Sequence, residues 1–355
     1  MDTLVRLQAK MKHDNIPAIL VMADEQRFYL SGFKSSAGFM MIFPDEAFLY
    51  TDSRYFEAAK QRAKGLSYEV RLHKGRMSEH IKTVMADKHL DTLYFEDDLI
   101  SFANHRALKN ALEGIELKEM GTFISDLRMI KTPREIECIR RAQKVSEEAF
   151  LRILPNIREG VSERDIALML EWDIRRLGMD IAFDFIVVGG ENSSKPHGVP
   201  TDRLFRQGDF ITIDFGAKLD GYCADMTRTL CIGKPSDEMR EVYDTVLRAK
   251  NEAQKIIKAG LTGRVIDAAA RDVITYMGYG ENFGHSLGHG VGVVVHEQPN
   301  FSPSYDKIIP EGSIVSVEPG IYLEGRFGVR IEDLVLVTKD GCENLNSMTT
   351  ELIEL

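Results

Sequence analysis

The stretch Ile211-Thr-Ile-Asp214-Phe-Gly-Ala-Lys218-Leu-Asp-Gly221-Tyr222-Cys-Ala-Asp225-Met-Thr-Arg-Thr-Leu230 decides the reading of this chain. An apolar strand from Ile211 to Phe215 and a second from Tyr222 to Leu230 flank a turn, Lys218 to Gly221, centred midway between Asp214 and Asp225. A tight two-residue loop of the kind Asp-Gly favours places the two carboxylates face to face, with Cβ atoms about 5 Å apart. The arithmetic repeats near the C-terminus, where Glu318 and Glu332 are equidistant from Gly325 in a hairpin running from Ile314 to Val337. Either hairpin could keep its acids on a solvated face. Their neighbours argue otherwise, because Ile-Thr-Ile-Asp-Phe-Gly-Ala and Ile-Val-Ser-Val-Glu-Pro-Gly are apolar enough for core strands, where like charges need cations between them.

Histidines gather in the same region. Four of the nine, His197, His285, His289 and His296, fall in glycine-rich loops or at strand edges, and Gly284, Gly288, Gly290 and Gly292 interleave the last three. Glycine at such spacing lets backbone approach a ligand closely, whereas a lone histidine such as His105 reads as a surface or hydrogen-bonded residue. Asp214, Asp225, His289, Glu318 and Glu332 together can hold two divalent cations. A water between two such ions loses much of its proton affinity, giving a nucleophile at neutral pH without an activated Ser or Cys. The oxygen-rich donor set leans toward Mn²⁺, with Co²⁺ and Zn²⁺ also fitting. Competing signatures are missing: there is no HExxH helix, no Walker-type loop, no GxSxG elbow and no GxGxxG after a suitable strand.

Composition narrows the partners. With 355 residues, 44% hydrophobic and 28% charged, the chain can hold two domains with ample core. A formal charge of −10 disfavours phosphate-backbone binding, so nucleic acid is not expected as a partner. Four cysteines without CxxC spacing suggest reduced thiols and a cytoplasmic setting. The opening, Met1 to Asn15, has helical alternation rather than the apolar run of a signal peptide, and no segment reaches the roughly 18 apolar residues of a membrane span.

From Ala18 to about Ser125, short apolar runs alternate with amphipathic stretches. Ala18 to Met22, Ala37 to Phe43, Ala47 to Tyr50 and Asp91 to Phe95 read as strands; Tyr55 to Lys64 and Asn104 to Leu112 read as helices. This is a small α/β domain, residues 1–125. A second domain, 126–355, follows, and its first long helix starts with Thr132 as N-cap, Pro133 at the first helical position and Glu135 closing a capping box, then runs to about Leu154, where Pro155 stops it. Within this domain Gly160-Val-Ser162-Glu163-Arg-Asp-Ile166 and Gly260-Leu-Thr262-Gly263-Arg-Val-Ile266 match in register, each opening an amphipathic helix and each followed by an acid-bearing hairpin. The repeat is either chance or the mark of two related half-domains sharing one centre.

The motifs PHGVP (196–200), IDFGA (213–217), DMTRT (225–229), HSLGHGVG (285–292), VHE (295–297), VEPGIY (317–322) and VRIED (329–333) resemble the pita-bread metallopeptidases, specifically the Xaa-Pro peptidases, aminopeptidase P and prolidase. RFYLSGFKSSAG (27–38) and LYTDSRY (49–55) look like the creatinase-type domain that precedes the catalytic one, the latter closer to short bacterial aminopeptidase P sequences than to archaeal prolidases. The resemblance spans essentially the whole chain. It implies an α/β N-terminal creatinase-like domain and an α+β pita-bread catalytic domain built from pseudo-twofold half-domains. The sequence departs from the pattern at Val293 and Val294, where relatives more often carry Leu or Met followed by Glu.

Carried over by motif, Asp214 would chelate one metal, Asp225 and Glu332 would bridge both, and His289 and Glu318 would complete the other. The resemblance further implies that Glu318 handles the proton while His296 and His197 contact the substrate carbonyl and the tetrahedral intermediate. His285 would line the proline side of the bond; Arg330, two residues before Glu332 and on the same strand face, would orient a neighbouring acid, meet a substrate carboxylate, or serve only as a salt bridge. The expected substrates are short proline-containing peptides, cleaved either as an Xaa-Pro aminopeptidase or as a dipeptide-restricted prolidase, and the expected assembly is a homodimer. A non-catalytic binding module is the alternative from another class, disfavoured because all five ligand positions are filled.

Overall fold

The computed structural model describes residues 3–355; Met1 and Asp2, the first residues of the expected N-terminal helical segment, lie outside the described residues. Two compact units result, one ending at Leu127 and the other spanning Arg128–Leu355.

The first unit is a mixed six-stranded sheet in the order Glu69–Leu72, Ala47–Thr51, Phe39–Ile42, Ile19–Val21, Thr92–Phe95, Glu116–Glu119. Ile19–Val21 is fully buried, pairing antiparallel to Phe39–Ile42 and parallel to Thr92–Phe95. The four strands expected from apolar runs are all present. The two edge strands are not visible as such runs because Glu69-Val-Arg-Leu and Glu116-Leu-Lys-Glu keep charges on a solvated face, as sheet edges do. Helices Asp24–Ser31 and Met77–Asp87 add to the two expected ones, which run Phe56–Arg62 and Phe102–Ala111.

The second unit opens with helix Pro133–Ile153. Thr132 accepts the Glu135 N–H and the Glu135 carboxylate accepts the Thr132 N–H, so the capping box forms as the sequence reads. Two helix pairs then recur, Pro133–Ile153 with Glu163–Arg176 and Asp237–Ile256 with Gly263–Tyr276, the second helix of each pair at an offset of one hundred residues. In each second helix the hydroxyl caps as expected, Ser162 accepting from the Asp165 N–H and Thr262 from the Val265 N–H. Each cap also forms an isolated bridge at the matching place, Ser162 to Leu204 and Thr262 to Ile308. Gly178 and Gly278 follow both helices with φ of 84° and 88°, left-handed positions that glycine fills at least cost.

Each pair covers its own sheet. The first core joins Phe150, Ile153, Ile166 and Leu170 to Ile211, Ile213, Phe215 and Leu230, with Phe150 and Phe215 stacked at 5.4 Å. The second joins Val246, Ala249, Ile266 and Ala270 to Val315, Val317, Val335 and Val337. A four-stranded sheet (Ile353–Glu354, Met226–Cys231, Phe210–Phe215, Ile186–Gly189) and a five-stranded one (Glu297–Phe301, Gly288–Gly290, Ile314–Val317, Asp333–Val337, Cys342–Asn344) therefore carry equivalent helices. This is the pseudo-twofold α+β architecture expected of a pita-bread domain. No helix of the described residues is long and apolar enough to cross a membrane.

Candidate metal centre

The first hairpin turns at Asp220 and Gly221, both with positive φ (48° and 82°), the type I′ conformation that matches strand twist. Lys218 is thereby set opposite Cys223 and Asp214 opposite Thr227. The direct facing of Asp214 and Asp225 expected from the sequence is therefore corrected: the two-residue loop sits one position beyond the midpoint. Asp225 lies in the break between strand segments Tyr222–Cys223 and Met226–Cys231, diagonal to Asp214. Across this break a Cβ at Gly216 would stand 1.9 Å from the Ala224 carbonyl oxygen, so only glycine fits.

In the second hairpin the ladders on either side, Val317 with Asp333 and Gly320 with Arg330, keep the register in which Glu318 stands opposite Glu332. Neither acid hydrogen-bonds its backbone N–H within that hairpin. The Glu318 N–H donates to the Leu287 carbonyl at 2.8 Å and the Glu332 N–H to the Thr227 carbonyl at 3.1 Å. One acid is thus tied to the histidine loop and the other to the first hairpin. Thr227 Oγ1 also donates to Glu332 Oε2 at 2.7 Å, so Thr227 meets Asp214 on one side and Glu332 on the other.

His289 sits on strand Gly288–Gly290. Its Nδ1 faces the Gly290 carbonyl at 3.2 Å, which assigns a proton there and turns Nε2 toward the acids, 3.1 Å from Glu318 Oε1 and 3.8 Å from Asp225 Oδ2. Ser316 Oγ accepts from the His289 N–H and donates to Glu318 Oε1, fixing the two relative to each other. All five expected ligands line one cleft of about 750 Å³. Ligand atoms of Asp225, His289 and Glu332 lie within 4.8 Å of one another.

The electrostatics of this cluster call for positive charge. Burial, then the neighbouring carboxylates, push the Asp225 and Glu332 carboxyls well above the ordinary range, and burial raises Asp214 despite Arg330. Burial works on Glu318 in the same direction, but hydrogen bonding from His289 and the charges of His289 and Arg330 outweigh it and hold Glu318 below the ordinary carboxylate range. Asp214 Oδ1 and Glu332 Oε1 are buried with no hydrogen-bond partner among the described residues. Orphaned carboxylate oxygens aimed into a cleft beside an imidazole are donors suited to divalent ions, so the residues present fit the expected metal pair.

Arg330 is buried, and four of its five N–H groups are engaged by the protein. Nη2 donates to Asp214 Oδ2 at 2.7 Å, Nη1 to the Pro196 carbonyl at 3.1 Å and to Tyr322 Oη at 2.9 Å, and Nε to Thr227 Oγ1 at 3.1 Å. Tyr322 Oη is also 3.0 Å from His285 Nε2, while His285 Nδ1 is 2.8 Å from the Ser286 carbonyl. A carbonyl only accepts, so Nδ1 carries the proton, Tyr322 donates to Nε2, and burial holds this imidazole neutral by lowering its pKa. His197 and His296 are exposed to the cleft, and the rings of His296 and His289 lie 4.2 Å apart. Burial also lowers the His296 pKa, with the charge of His289 adding to it.

Sequence reasoning missed Thr227, Ser316 and Tyr322. Their signal was alternation: Thr227 and Asp225 share strand parity, Ser316 and Glu318 likewise, and Tyr322 follows Glu318 inside VEPGIY.

A cleft of carboxylates and histidines shared by two half-domains defines a metallopeptidase-type site. The sequence model of Metallopeptidase family M24 matches residues 137–339, and that of the Creatinase/Prolidase N-terminal domain matches residues 4–130. The chain is 35% identical to the Xaa-Pro dipeptidase of Pyrococcus furiosus over 99% of both chains. Among solved structures, an Xaa-Pro dipeptidase from Bacillus anthracis is 40% identical with a TM-score of 0.94, covering 100% of this chain and 99% of that one. An X-Pro aminopeptidase from Thermotoga maritima is also 40% identical with a TM-score of 0.94, covering 100% of both. The chain belongs to metallopeptidase family M24, within its pita-bread Xaa-Pro peptidases, and is a metal-dependent peptidase.

Proposed function

We propose that this chain is a cytoplasmic Xaa-Pro aminopeptidase that releases the N-terminal residue from peptides with proline second, and that it works with two divalent ions, Mn²⁺ foremost. The observation that carries the reading is the engagement of Arg330. With four N–H groups held by Asp214, Pro196, Tyr322 and Thr227, this guanidinium is an internal brace of Asp214 rather than a free fork for a dipeptide's C-terminal carboxylate. The cleft walls contributed by Phe183, Phe185, Val199 and Val295 are apolar and suit a chain that continues past proline.

In this reading Asp214, Asp225, His289, Glu318 and Glu332 would hold the two ions, with Asp225 and Glu332 as the ligands common to both. The bound ions supply an activated water and polarise the scissile carbonyl. Glu318 takes and returns the proton, and His197 and His296 hydrogen-bond the oxygen on which charge develops. His285, with both ring nitrogens engaged inside the protein, gives the proline side of the bond its ring face. The proline nitrogen carries no hydrogen, so recognition has to come from shape and from the carbonyl.

The dipeptidase names of the Bacillus anthracis and Pyrococcus furiosus relatives favour a second reading, a prolidase restricted to dipeptides. Hydrolysis of Xaa-Pro against Xaa-Pro-Xaa by protein stripped of metal and reloaded with Mn²⁺ separates the two. Tripeptide cleavage is the expected result; cleavage of the dipeptide alone would establish the prolidase. A dimer is part of the same reading, and sedimentation of the full chain checks it.

A further inference from the structure

His197 is carried by a loop that leaves strand Ile186–Gly189, makes a 3-10 turn at Gly190–Ser194 and returns at Thr201, with Pro196 to Pro200 lining the cleft. A loop side chain exposed to a cleft is placed only as well as its backbone is held. Both ends of this loop converge on one residue outside the cleft lining, Glu163, the first residue of helix Glu163–Arg176 and fully buried. Its Oε1 accepts the Gly189 N–H at 2.8 Å and Asn192 Nδ2 at 3.0 Å. Its Oε2 accepts the Thr201 N–H at 2.9 Å and Thr201 Oγ1 at 2.6 Å. The Glu163 N–H in turn donates to the Arg203 carbonyl at 3.1 Å.

A buried carboxylate normally takes a cationic partner. Here the adjacent Arg203 is committed to Asp209 and Glu191 instead. What the site provides is donors only, and an ionised carboxylate is the side chain that offers two oxygens and no hydrogen to clash with them. The helix N-terminus adds favourable partial charge.

The other half-domain performs the same task with a different residue. At the repeat position of Glu163 stands Gly263, where a Cβ would lie 2.0 Å from the Asn300 carbonyl oxygen, so no side chain fits. One turn further on, Asp267 accepts the Leu287 N–H at 3.0 Å and pairs with Arg271, which donates to the carbonyls of Phe283 (3.0 Å) and His285 (2.8 Å). In both halves the second helix thus uses an acid near its start to hold a histidine loop.

We propose that Glu163 is a positioning residue for His197: by tying Gly189 and Asn192 to Thr201 it fixes the loop that brings this imidazole to the substrate. The proposal rests on the reading of the cleft as a peptidase site in which His197 touches substrate. Metal-loaded full-length Glu163→Gln, His197→Ala and the double variant are compared on an Xaa-Pro-Xaa tripeptide, with metal content and thermal midpoint measured on each. Glu163→Gln is expected to lower kcat/KM by about tenfold with metal content unchanged, and by less than about twofold when His197 is already alanine. An equal loss in both backgrounds, or no loss in the first, would overturn the proposal. If His197→Ala keeps wild-type kcat/KM, the role given to His197 itself fails and the proposal falls with it, while tripeptide cleavage would still stand. Should Glu163→Gln not fold, Thr201→Val, which removes one donor to Glu163, is expected to give a smaller loss with the same dependence on His197; additivity there would overturn the proposal equally.

Discussion

At the residue scale, Arg330 connects more of the site than any single ligand does. It reaches Asp214, Thr227, Tyr322 and the Pro196 carbonyl from one planar guanidinium, and through Tyr322 it is linked to the ring of His285. Lysine keeps the charge but cannot reproduce the fork. Arg330→Lys is expected to lower kcat/KM on a tripeptide at least about tenfold while the protein stays folded, as steady-state kinetics and circular dichroism would check. Wild-type activity in this variant would refute the bracing role. The ligand candidates were legible in sequence because carboxylates inside apolar strands are costly without a cation, and histidines between glycines sit where the backbone can come close to a ligand. The engagement of Arg330 was not, since parity shows which face a side chain shares but not which donors it has left.

At the scale of elements, one turn decides the geometry of the first acid pair. Counting residues cannot tell whether a two-residue loop sits on Leu219-Asp220 or on Asp220-Gly221. The sign of φ at Asp220 and Gly221 does, and it moves Asp225 from facing Asp214 to a diagonal position. Gly221→Val would place a β-branched residue at φ 82° and is expected to destabilise the protein by about 1–2 kcal/mol. Gly221→Asn should lose much less, and denaturant midpoints of the two variants make the comparison. Helix Pro133–Ile153 was readable to within a residue because its cap chemistry is local; Thr132→Ala is expected to lower stability by about 1 kcal/mol in the same assay. The edge strands Glu69–Leu72 and Glu116–Glu119 escaped because they are held by neighbours rather than by an apolar run of their own.

At the scale of the whole molecule, stability is linked to protons and metal. In the unit ending at Leu127, burial pushes the Glu96 carboxyl up to about 7, although it accepts the Met22 and Ala23 N–H groups at the start of helix Asp24–Ser31. Because the folded pKa lies above the unfolded one, Glu96 leaves stability intact below about pH 4.5 and subtracts from it as pH rises toward about 7. Glu96→Gln is expected to flatten that part of the pH profile of unfolding; an unchanged slope would count against it. The centre shared by the two halves of Arg128–Leu355 is the larger claim, and metal content per chain tests it most directly. By mass spectrometry on protein dialysed against Mn²⁺, the wild type should hold two ions, and Asp225→Asn and Glu332→Gln should each hold fewer than one. Two ions retained in Asp225→Asn would contradict the shared-ligand arrangement.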